Sequence, residues 1–471
     1  MKKIKFGTGG FRGIIGDDFT RENIQNICQA ICNISIAKNL KREICIGYDY
    51  RFASENFAKW CAEIFAGNDF RVEYFPRACT TPVVMFASKL NNNPYGIMIT
   101  ASHNPYMFNG IKVFVTEGKD APLEATNEIE NEMDKLKIIK SSDFNEELNK
   151  KIFMVSYIDK YISHLIKNQE LENSGQGLKA VFDAKFGSSV EELKKLSNGI
   201  GLKEYKIING RRDAFFKFIA PAPTPNNIEN LKQNVLNSKA TIGFALDADG
   251  DRLAVIDEKG NYIDNNIILA VIYYYMVKYQ NKCGGIVKNC CTTYLCNVVA
   301  NNLGYKCYEV PVGFKYISSK LIETDAVIGG ESSGGLAVKN HIWGKDSLLT
   351  IGLVIKMISE LKKPFSEIVS EVLTFANNYD KKTFDKSYTY TPSLASEIKN
   401  KVFNNDNYPI NKQEVKEIIK TDYLKIVYKN NDWVNIRFSG TEPILRIFIE
   451  TNSKDNALSE FKNWEQFLNL N

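Results

Sequence analysis

Residues Ile44–Phe75, ICIGYDYRFASENFAKWCAEIFAGNDFRVEYF, contain a short apolar run, a polar loop, a helical stretch opened by Ser54 and stopped by Gly67, and a second apolar run. The same plan returns in AVFDAKFGSSVEELKKLSNGIGLKEYKI from Ala180 and in IVKNCCTTYLCNVVANNLGYKCYEV from Ile286. Ser54, Ser188 and Thr292 are expected N-caps, because a hydroxyl can accept the unpaired N–H groups of a first helical turn. Gly67, Gly199 and Gly304 are the expected helix stops. Each unit reads as βαβ, which implies parallel strands joined by a crossover helix. Copies this far apart indicate separate domains of one design, since a solenoid repeats every 20 to 50 residues.

A different region follows the linker-like NNYDKKTFDKSYTYTPS that begins near Asn377. It shows strand patterns at WVNIRF and ILRIFIET and a closing helix from Asp455 to Leu468. Three α/β domains and a smaller α+β domain are therefore expected, with boundaries at 1–152, 153–259, 260–374 and 375–471.

With 471 residues, 44% hydrophobic and 24% charged, the chain is an ordinary globular protein with ample core. Its 60 Lys and Arg against 55 Asp and Glu leave a net charge of +5 spread over the whole length, so nucleic acid is not an expected partner. MKKIKFGTGG has no signal h-region, and the longest apolar run, Ile267 to Val277, is too short to cross a bilayer. A soluble, cytoplasmic protein without a membrane partner is expected. The ten cysteines form no pair of CxxC knuckles and read as buried, reduced thiols. His103, His164 and His341 are too dispersed for a histidine-based zinc site, and His164, in YISHLIKN, reads as structural.

Four motifs carry chemistry. In DADGDR, Asp247, Asp249 and Asp251 follow the strand-like TIGFAL. Carboxylates at every second position of an extended loop project to one side and offer hard oxygen ligands to a divalent cation, for which magnesium is the natural candidate. An EF-hand would also match Glu258, but Arg252 stands where that loop needs glycine and strands flank it. A solvated acidic turn would leave three carboxylates repelling one another. Thr100-Ala101-Ser102-His103-Asn104-Pro105 places a serine just past a strand, available as nucleophile or phosphate carrier, although a Ser-His pair in a turn alone also fits local hydrogen bonding. Arg437-Phe438-Ser439-Gly440-Thr441-Glu442-Pro443, followed by Arg446, combines backbone N–H groups, hydroxyls and guanidinium forks that suit phosphate oxygens, against the alternative of a plain hairpin turn. Gly329-Gly330-Glu331-Ser332-Ser333-Gly334-Gly335 lacks the lysine of a phosphate loop; it suits sugar hydroxyls or serves as a flexible connector. Near the start, Arg12 within Gly7-Thr8-Gly9-Gly10-Phe11-Arg12-Gly13 sits outside any complete dinucleotide-binding unit and can instead meet a phosphate.

Taken in order over nearly the whole chain, FGTGGFRG, TASHNP, DADGDR, GGESSGG and RFSGTEP resemble the α-D-phosphohexomutase superfamily, the phosphoglucomutase and phosphomannomutase enzymes. They look like its opening, phosphoserine loop, metal loop, sugar-specificity loop and phosphate-binding loop. The resemblance implies three similar α/β domains with mixed sheets and a smaller α+β domain around a central cleft. It implies that Ser102 carries a phosphoryl group and that Mg²⁺ is held by Asp247, Asp249, Asp251 and the phosphate on Ser102. Phosphoserine would donate to a hexose monophosphate, and the bisphosphorylated sugar would turn over and return its other phosphate, moving phosphate between O1 and O6. Glucose 1,6-bisphosphate or an equivalent is the implied activator, and small-molecule sugar phosphates are the partners of a monomer or homodimer. By the same resemblance, Arg437, Ser439, Gly440, Thr441 and Arg446 hold phosphate, and Glu331 and Ser333 contact sugar hydroxyls. Lys112, with Arg12 and His103, serves proton transfer, and Arg252, Lys288, Gly313, Lys315 and Lys345 complete the substrate site.

The chain departs from several phosphomannomutases at Gly335, where they carry histidine. The second acid or base is then one of Lys345, Lys315, Lys288 and His341. Glu331-Ser332-Ser333-Gly334 resembles the glucose and mannose enzymes more than the glucosamine ones, with phosphopentomutase and phosphoglucosamine mutase as alternatives. Outside the superfamily, FALDADGD also suggests a haloacid-dehalogenase-like phosphatase with Asp247 as nucleophile, and a non-catalytic phosphosugar-binding regulator is a further alternative.

Overall fold

The computed structural model describes residues 4–7, 9–405, 407–410, 413–439 and 443–470. Its first sheet contains β1 (Phe11–Ile14), β2 (Glu43–Tyr48), β3 (Arg71–Tyr74), β4 (Tyr95–Ile99), β5 (Phe108–Val115), β6 (Lys119–Asp120) and β7 (Ile152–Met154), in the order β1-β5-β4-β2-β3-β7 with β6 on β5. The second holds β8 (Lys179–Asp183), β9 (Glu204–Ile208), β10 (Ile242–Leu246), β11 (Leu253–Ile256) and β12 (Tyr262–Ile263), in the order β12-β11-β10-β8-β9. The third holds β13 (Ile286–Asn289), β14 (Cys307–Val310), β15 (Ile328–Gly330) and β16 (Leu336–Val338), in the order β14-β13-β15-β16.

One four-strand plan is present three times, as β3-β2-β4-β5, β9-β8-β10-β11 and β14-β13-β15-β16. In each, the first strand of the sequence repeat lies between two parallel neighbours, and the last pair is antiparallel. The parallel partners are forced by the crossover helices Ser54–Gly67, Val190–Gly199 and Leu295–Asn302. The three sheets are mixed, as expected. Three motif-bearing loops, those of Ser102, Asp247 and Glu331, therefore occupy one topological position, the turn into the antiparallel fourth strand.

The first strand of each repeat also ends alike. Asp49 Oδ1 accepts the Arg51 N–H, Asp183 Oδ1 the Lys185 N–H and Asn289 Oδ1 the Cys291 N–H, each at 3.0 Å. A short acceptor bonding the backbone two residues on is the Asx turn that lets a strand break sharply into a loop.

The expected N-caps are not caps. Ser54 Oγ donates to Asp49 Oδ1, Ser188 Oγ to the Cys79 carbonyl and Thr292 Oγ1 to Asn289 Oδ1. Each hydroxyl points away from its helix, two of them to the Asx-turn residue of the preceding strand end and one to the first domain. Gly67 and Gly199 close their helices, and Gly304, at φ +81, follows the third.

The fourth sheet is wholly antiparallel: β17 (Lys382–Thr389), β18 (Val415–Lys420), β19 (Tyr423–Tyr428), β20 (Trp433–Phe438) and β21 (Ile444–Thr451), in the order β17-β21-β20-β19-β18. The helix Lys454–Leu468 covers it with Phe461, Trp464 and Leu468. Much of the linker-like stretch is in fact the edge strand β17, paired along its length with β21. Its polar, charged alternation is what an edge needs to avoid further pairing.

Among the described residues no helix is long and apolar enough to cross a membrane, and the apolar run at 267–277 lies within the helix Asn265–Lys278. Eight cysteines are buried, whereas Cys307 is half-buried and Cys283 exposed. A largely continuous core runs through the first three domains, with Met85 and Phe114 of the first, Phe182 and Leu196 of the second, and Leu269 and Leu353 of the third. Each such side chain contributes about 1.5–3 kcal/mol by leaving water.

Candidate active site

Ser102 sits in the β4–β5 turn with φ 51, a left-handed conformation that costs a non-glycine residue about 1–2 kcal/mol. Its neighbours enforce it. Thr100 Oγ1 accepts the Ser102 N–H at 2.9 Å and donates to Asp49 Oδ2 at 2.6 Å. Arg51, fully buried, donates to the carbonyls of Ser102 (2.5 Å), Asn104 (2.6 Å), Pro105 (3.0 Å) and Phe108 (3.1 Å). Its fork shape lets one side chain hold a whole turn. Ser102 Oγ then donates to Asp247 Oδ2 at 2.6 Å, across from the first domain to the second, with His103 Nδ1 at 3.4 Å on its other side.

The β10–β11 turn is braced from within. Asp247 Oδ1 accepts the N–H groups of Asp251 (3.0 Å) and Arg252 (3.1 Å), and Gly250, at φ +68, leaves no room for a Cβ against Thr80. Asp247, Asp249 and Asp251 are buried, with candidate ligand oxygens within 4.8 Å of one another. Asp249 Oδ2 accepts from Thr81 Oγ1 at 2.5 Å and from Lys112 Nζ at 2.6 Å; Asp251 Oδ2 accepts from Lys112 at 2.5 Å. The second oxygens, Asp249 Oδ1 and Asp251 Oδ1, are buried without a hydrogen-bond donor among the described residues. Clustered hard oxygens with unfilled valence are the donor set a Mg²⁺-like cation takes, so the residues present fit one.

Electrostatics divides the triad. Burial, then the charges of Asp249 and Asp251, raise the Asp247 carboxyl well above its usual range. Burial acts the same way on Asp251, but Lys112, Lys345 and Arg252 outweigh it and hold Asp251 well below that range. Burial would pull Lys112 down, yet Asp249 and Asp251 raise it overall, so its ammonium is firmly protonated. Burial and then Arg252 and Arg12 keep the His103 imidazole neutral. Arg12, on β1, donates to Asn104 Oδ1 at 2.7 Å.

The third equivalent turn arrives at the same place. Lys345 Nζ lies 3.2 Å from Asp251 Oδ2 and 3.8 Å from Glu331 Oε1. Glu331 accepts from Ser333 Oγ at 2.8 Å and Asn289 Nδ2 at 3.1 Å. A Cβ on Gly335 would fall 2.1 Å from Lys345 Cδ, so the Lys345 stem fills the space that a side chain at 335 would need. Gly313, at φ 135, starts the helix Phe314–Thr324. On its first turn, Lys315 is lowered by burial and faces Glu124 and Asp120 of the first domain.

Two candidates lie elsewhere. Lys288 is completely buried, donates to the Thr292 and Thr293 carbonyls at 3.0 and 3.2 Å, and pairs with Glu309 at 3.1 Å, beside Lys425 of the fourth domain. His341 is buried with its Nε2 2.6 Å from Asp346 Oδ2, while His164 stacks on it at 5.6 Å. In the fourth domain, Arg437 and Arg446 are direct cross-strand partners, and no carboxylate pairs with either among the described residues. Like charges placed opposite each other call for an anion. Ser439 ends the described part of that loop; Gly440 and Thr441 lie outside the described residues, as does Thr8 of the N-terminal motif.

Sequence reasoning passed over Asp49, Arg51, Thr81 and Asp120. The signal for the first two was the strand-ending Asp-x-cation shared by Asp49-Tyr50-Arg51 and Asp183-Ala184-Lys185. Asp120 pairs with Phe114 on β5, two residues beyond Lys112 and so on the same sheet face. Burial raises its carboxyl, opposed by Lys112 and Lys345.

Models of phosphoglucomutase/phosphomannomutase alpha/beta/alpha domains I, II and III match residues 3–139, 159–260 and 264–375, and the model of the C-terminal domain matches 397–463. A phosphoglucosamine mutase of Prochlorococcus marinus (strain MIT 9215) is 29% identical, with 96% of each chain covered. A phosphoglucomutase/phosphomannomutase of Thermococcus kodakarensis is 28% identical over 96% of this chain and 95% of its own. The solved open form of the Paramecium phosphoglucomutase pp63/parafusin shares the fold at TM-score 0.82, with 20% identity over 99% of this chain and 96% of that one.

Proposed function

The chain belongs to the phosphoglucomutase/phosphomannomutase family, and from that membership we propose that it moves a phosphoryl group between O1 and O6 of a glucose or mannose phosphate through phosphorylated Ser102. The observation that carries this reading is the 2.6 Å contact of Ser102 Oγ with Asp247, which brings the serine turn against a buried carboxylate triad.

A sugar hydroxyl attacks the phosphorus on Ser102, the new O–P bond forms, and the Ser102 Oγ–P bond breaks with its electron pair returning to Oγ. Lys112, whose Nζ bonds Asp249 and Asp251, is the group proposed to return a proton to the departing Oγ. Lys345, between Asp251 and Glu331 and filling the space beside Gly335, accepts the proton of the attacking sugar hydroxyl as its neutral amine and becomes the ammonium. Arg12 and Arg252 flank a neutral His103 and supply positive field beside the serine turn. Glu331 and Ser333 orient ring hydroxyls, and Arg437, Ser439 and Arg446 receive the phosphate that is not reacting. Mg²⁺ on Asp247, Asp249 and Asp251 would offset the charge that grows on the phosphoryl oxygens during transfer. A bisphosphorylated hexose, able to phosphorylate Ser102, is the expected activator.

Glucosamine phosphate is the second reading, because relatives that cover 96% and 97% of the chain are named phosphoglucosamine mutase. Intact-mass analysis after incubation with glucose 1,6-bisphosphate tests the intermediate. One phosphoryl group on Ser102, stable to hydroxylamine and absent from Ser102→Ala, supports it. A hydroxylamine-labile adduct on Asp247 replaces it with an aspartyl phosphatase.

A further inference from the structure

Between β9 and β10, Phe216, Lys217 and Phe218 have φ of 51, 51 and 60°, a left-handed turn built without glycine. Such a turn persists only where its surroundings over-determine it. It drives Phe216 inward to 2% exposure while Phe215 and Phe218 remain 44% and 73% exposed. Inside, Phe216 shares one cluster with Phe186, Ala248 and Tyr106, and its ring centroid lies 5.0 Å from the Arg51 guanidinium carbon. Outside, Phe215 rests on Phe52 at 6.1 Å and Tyr106 at 5.7 Å, and Phe218 on Tyr106 at 5.2 Å. The inward ring thus meets the arginine that holds the Ser102 turn and shares its small cluster with Ala248, the residue between Asp247 and Asp249.

We infer that Phe216 is a positioning residue for phosphoryl transfer, a clasp from the second domain that fixes Arg51 and the acidic turn relative to each other and so sets Ser102 Oγ against Asp247. The inference rests on the mutase reading above. An aromatic face attracts the guanidinium while leaving its in-plane N–H groups to the loop carbonyls. An aliphatic side chain fills the volume without orienting the fork.

Phe216→Leu and Phe216→Tyr separate these roles. Phe216→Leu should lower kcat on glucose 1-phosphate by about 10- to 100-fold with KM within about 3-fold, because small misplacements of reacting groups cost rate rather than binding. Phe216→Tyr should restore kcat, and the two variants should melt at similar temperatures. A wild-type kcat in Phe216→Leu, or an equal loss in Phe216→Tyr, overturns the inference. Should Phe216→Leu not fold, Phe216→Met answers in its place. If the wild-type protein converts no hexose phosphate, the mutase reading falls by itself. The clasp is then judged by calorimetric Mg²⁺ affinity, which Phe216→Leu should weaken several-fold and which an unchanged Kd would refute.

Discussion

The β4–β5 and β10–β11 turns hold the same place in two sheets of one design, yet they are stabilised in opposite ways. The first contains a strained serine and is clamped from outside by Arg51, which bonds four of its carbonyls. The second folds onto its own carboxylate, Asp247 accepting from Asp251 and Arg252. A turn that presents a nucleophile needs its side chain free and so borrows its rigidity. A turn that presents acids can spend one oxygen on its own backbone and keep the others for a cation. The strand ends repeat the contrast: each cation pairs with its own aspartate, Arg51 with Asp49 at 3.4 Å and Lys185 with Asp183 at 3.2 Å, but Arg51 also spreads its donors over the serine turn while Lys185 bonds the single Asn227 carbonyl. The Asx turn is shared; the fork belongs only to the strand end that serves the nucleophile.

Breaking each turn at its functional atom should have the largest effect. Ser102→Ala should reduce mutase turnover by about 10⁴-fold or more while keeping the Mg²⁺ affinity that the three aspartates give the unphosphorylated protein, measured by calorimetry. Asp249→Ala should do the reverse to binding, abolishing Mg²⁺ affinity along with turnover, and chelation of the wild-type protein should mimic it. Equal Mg²⁺ affinity in the two variants would erase the division of labour between the turns.

Converting the first strand end into the second is the next largest. Arg51→Lys should cost kcat about 10²-fold, since a point charge cannot hold four carbonyls, whereas Lys185→Met should change kcat less than about 3-fold. Comparable losses in steady-state assays would show that the two strand ends act alike.

The smallest effect lies where the two domains meet. Glu192 Oε1 accepts the Thr80 N–H at 2.9 Å, and burial pushes this carboxyl up to about 7 from its ordinary value of 4.5. A folded-state value above the unfolded one favours the native protein while the group is protonated, and that advantage is lost as pH rises through about 7. The melting temperature should therefore fall as pH rises from about 5 to 8, by an amount on the order of 2–3 kcal/mol in stability, and Glu192→Gln should flatten the decline. A scanning-calorimetry profile equally steep in both proteins would remove Glu192 as the cause.

Repeats and loop chemistry were legible because each rests on local pattern. DADGDR stands out by residue type and spacing, whereas TASHNP gains its reading only from the resemblance of the whole ordered set; strands β20 and β21 with the last helix fall where WVNIRF, ILRIFIET and Asp455–Leu468 placed them. Most of what escaped depends on partners far along the chain. Ser188 looks like a cap until the distant Cys79 carbonyl takes its hydroxyl, while Ser54 and Thr292 turn back to Asp49 and Asn289 at the ends of their own strands. Lys288 looks available until Glu309 pairs with it. β17 reads as a linker because an edge strand has no buried face to make its alternation apolar. Arg51 carries only the Asp-x-cation pattern in sequence, and only the closed turn gives its donors four acceptors.

Phosphorus NMR of glucose 1-phosphate with the protein, Mg²⁺ and a trace of glucose 1,6-bisphosphate tests the central claim most directly. A mutase working through Ser102 converts the resonance to that of glucose 6-phosphate with no inorganic phosphate, and Ser102→Ala leaves it unchanged. Release of inorganic phosphate, or conversion that survives Ser102→Ala, would contradict the account.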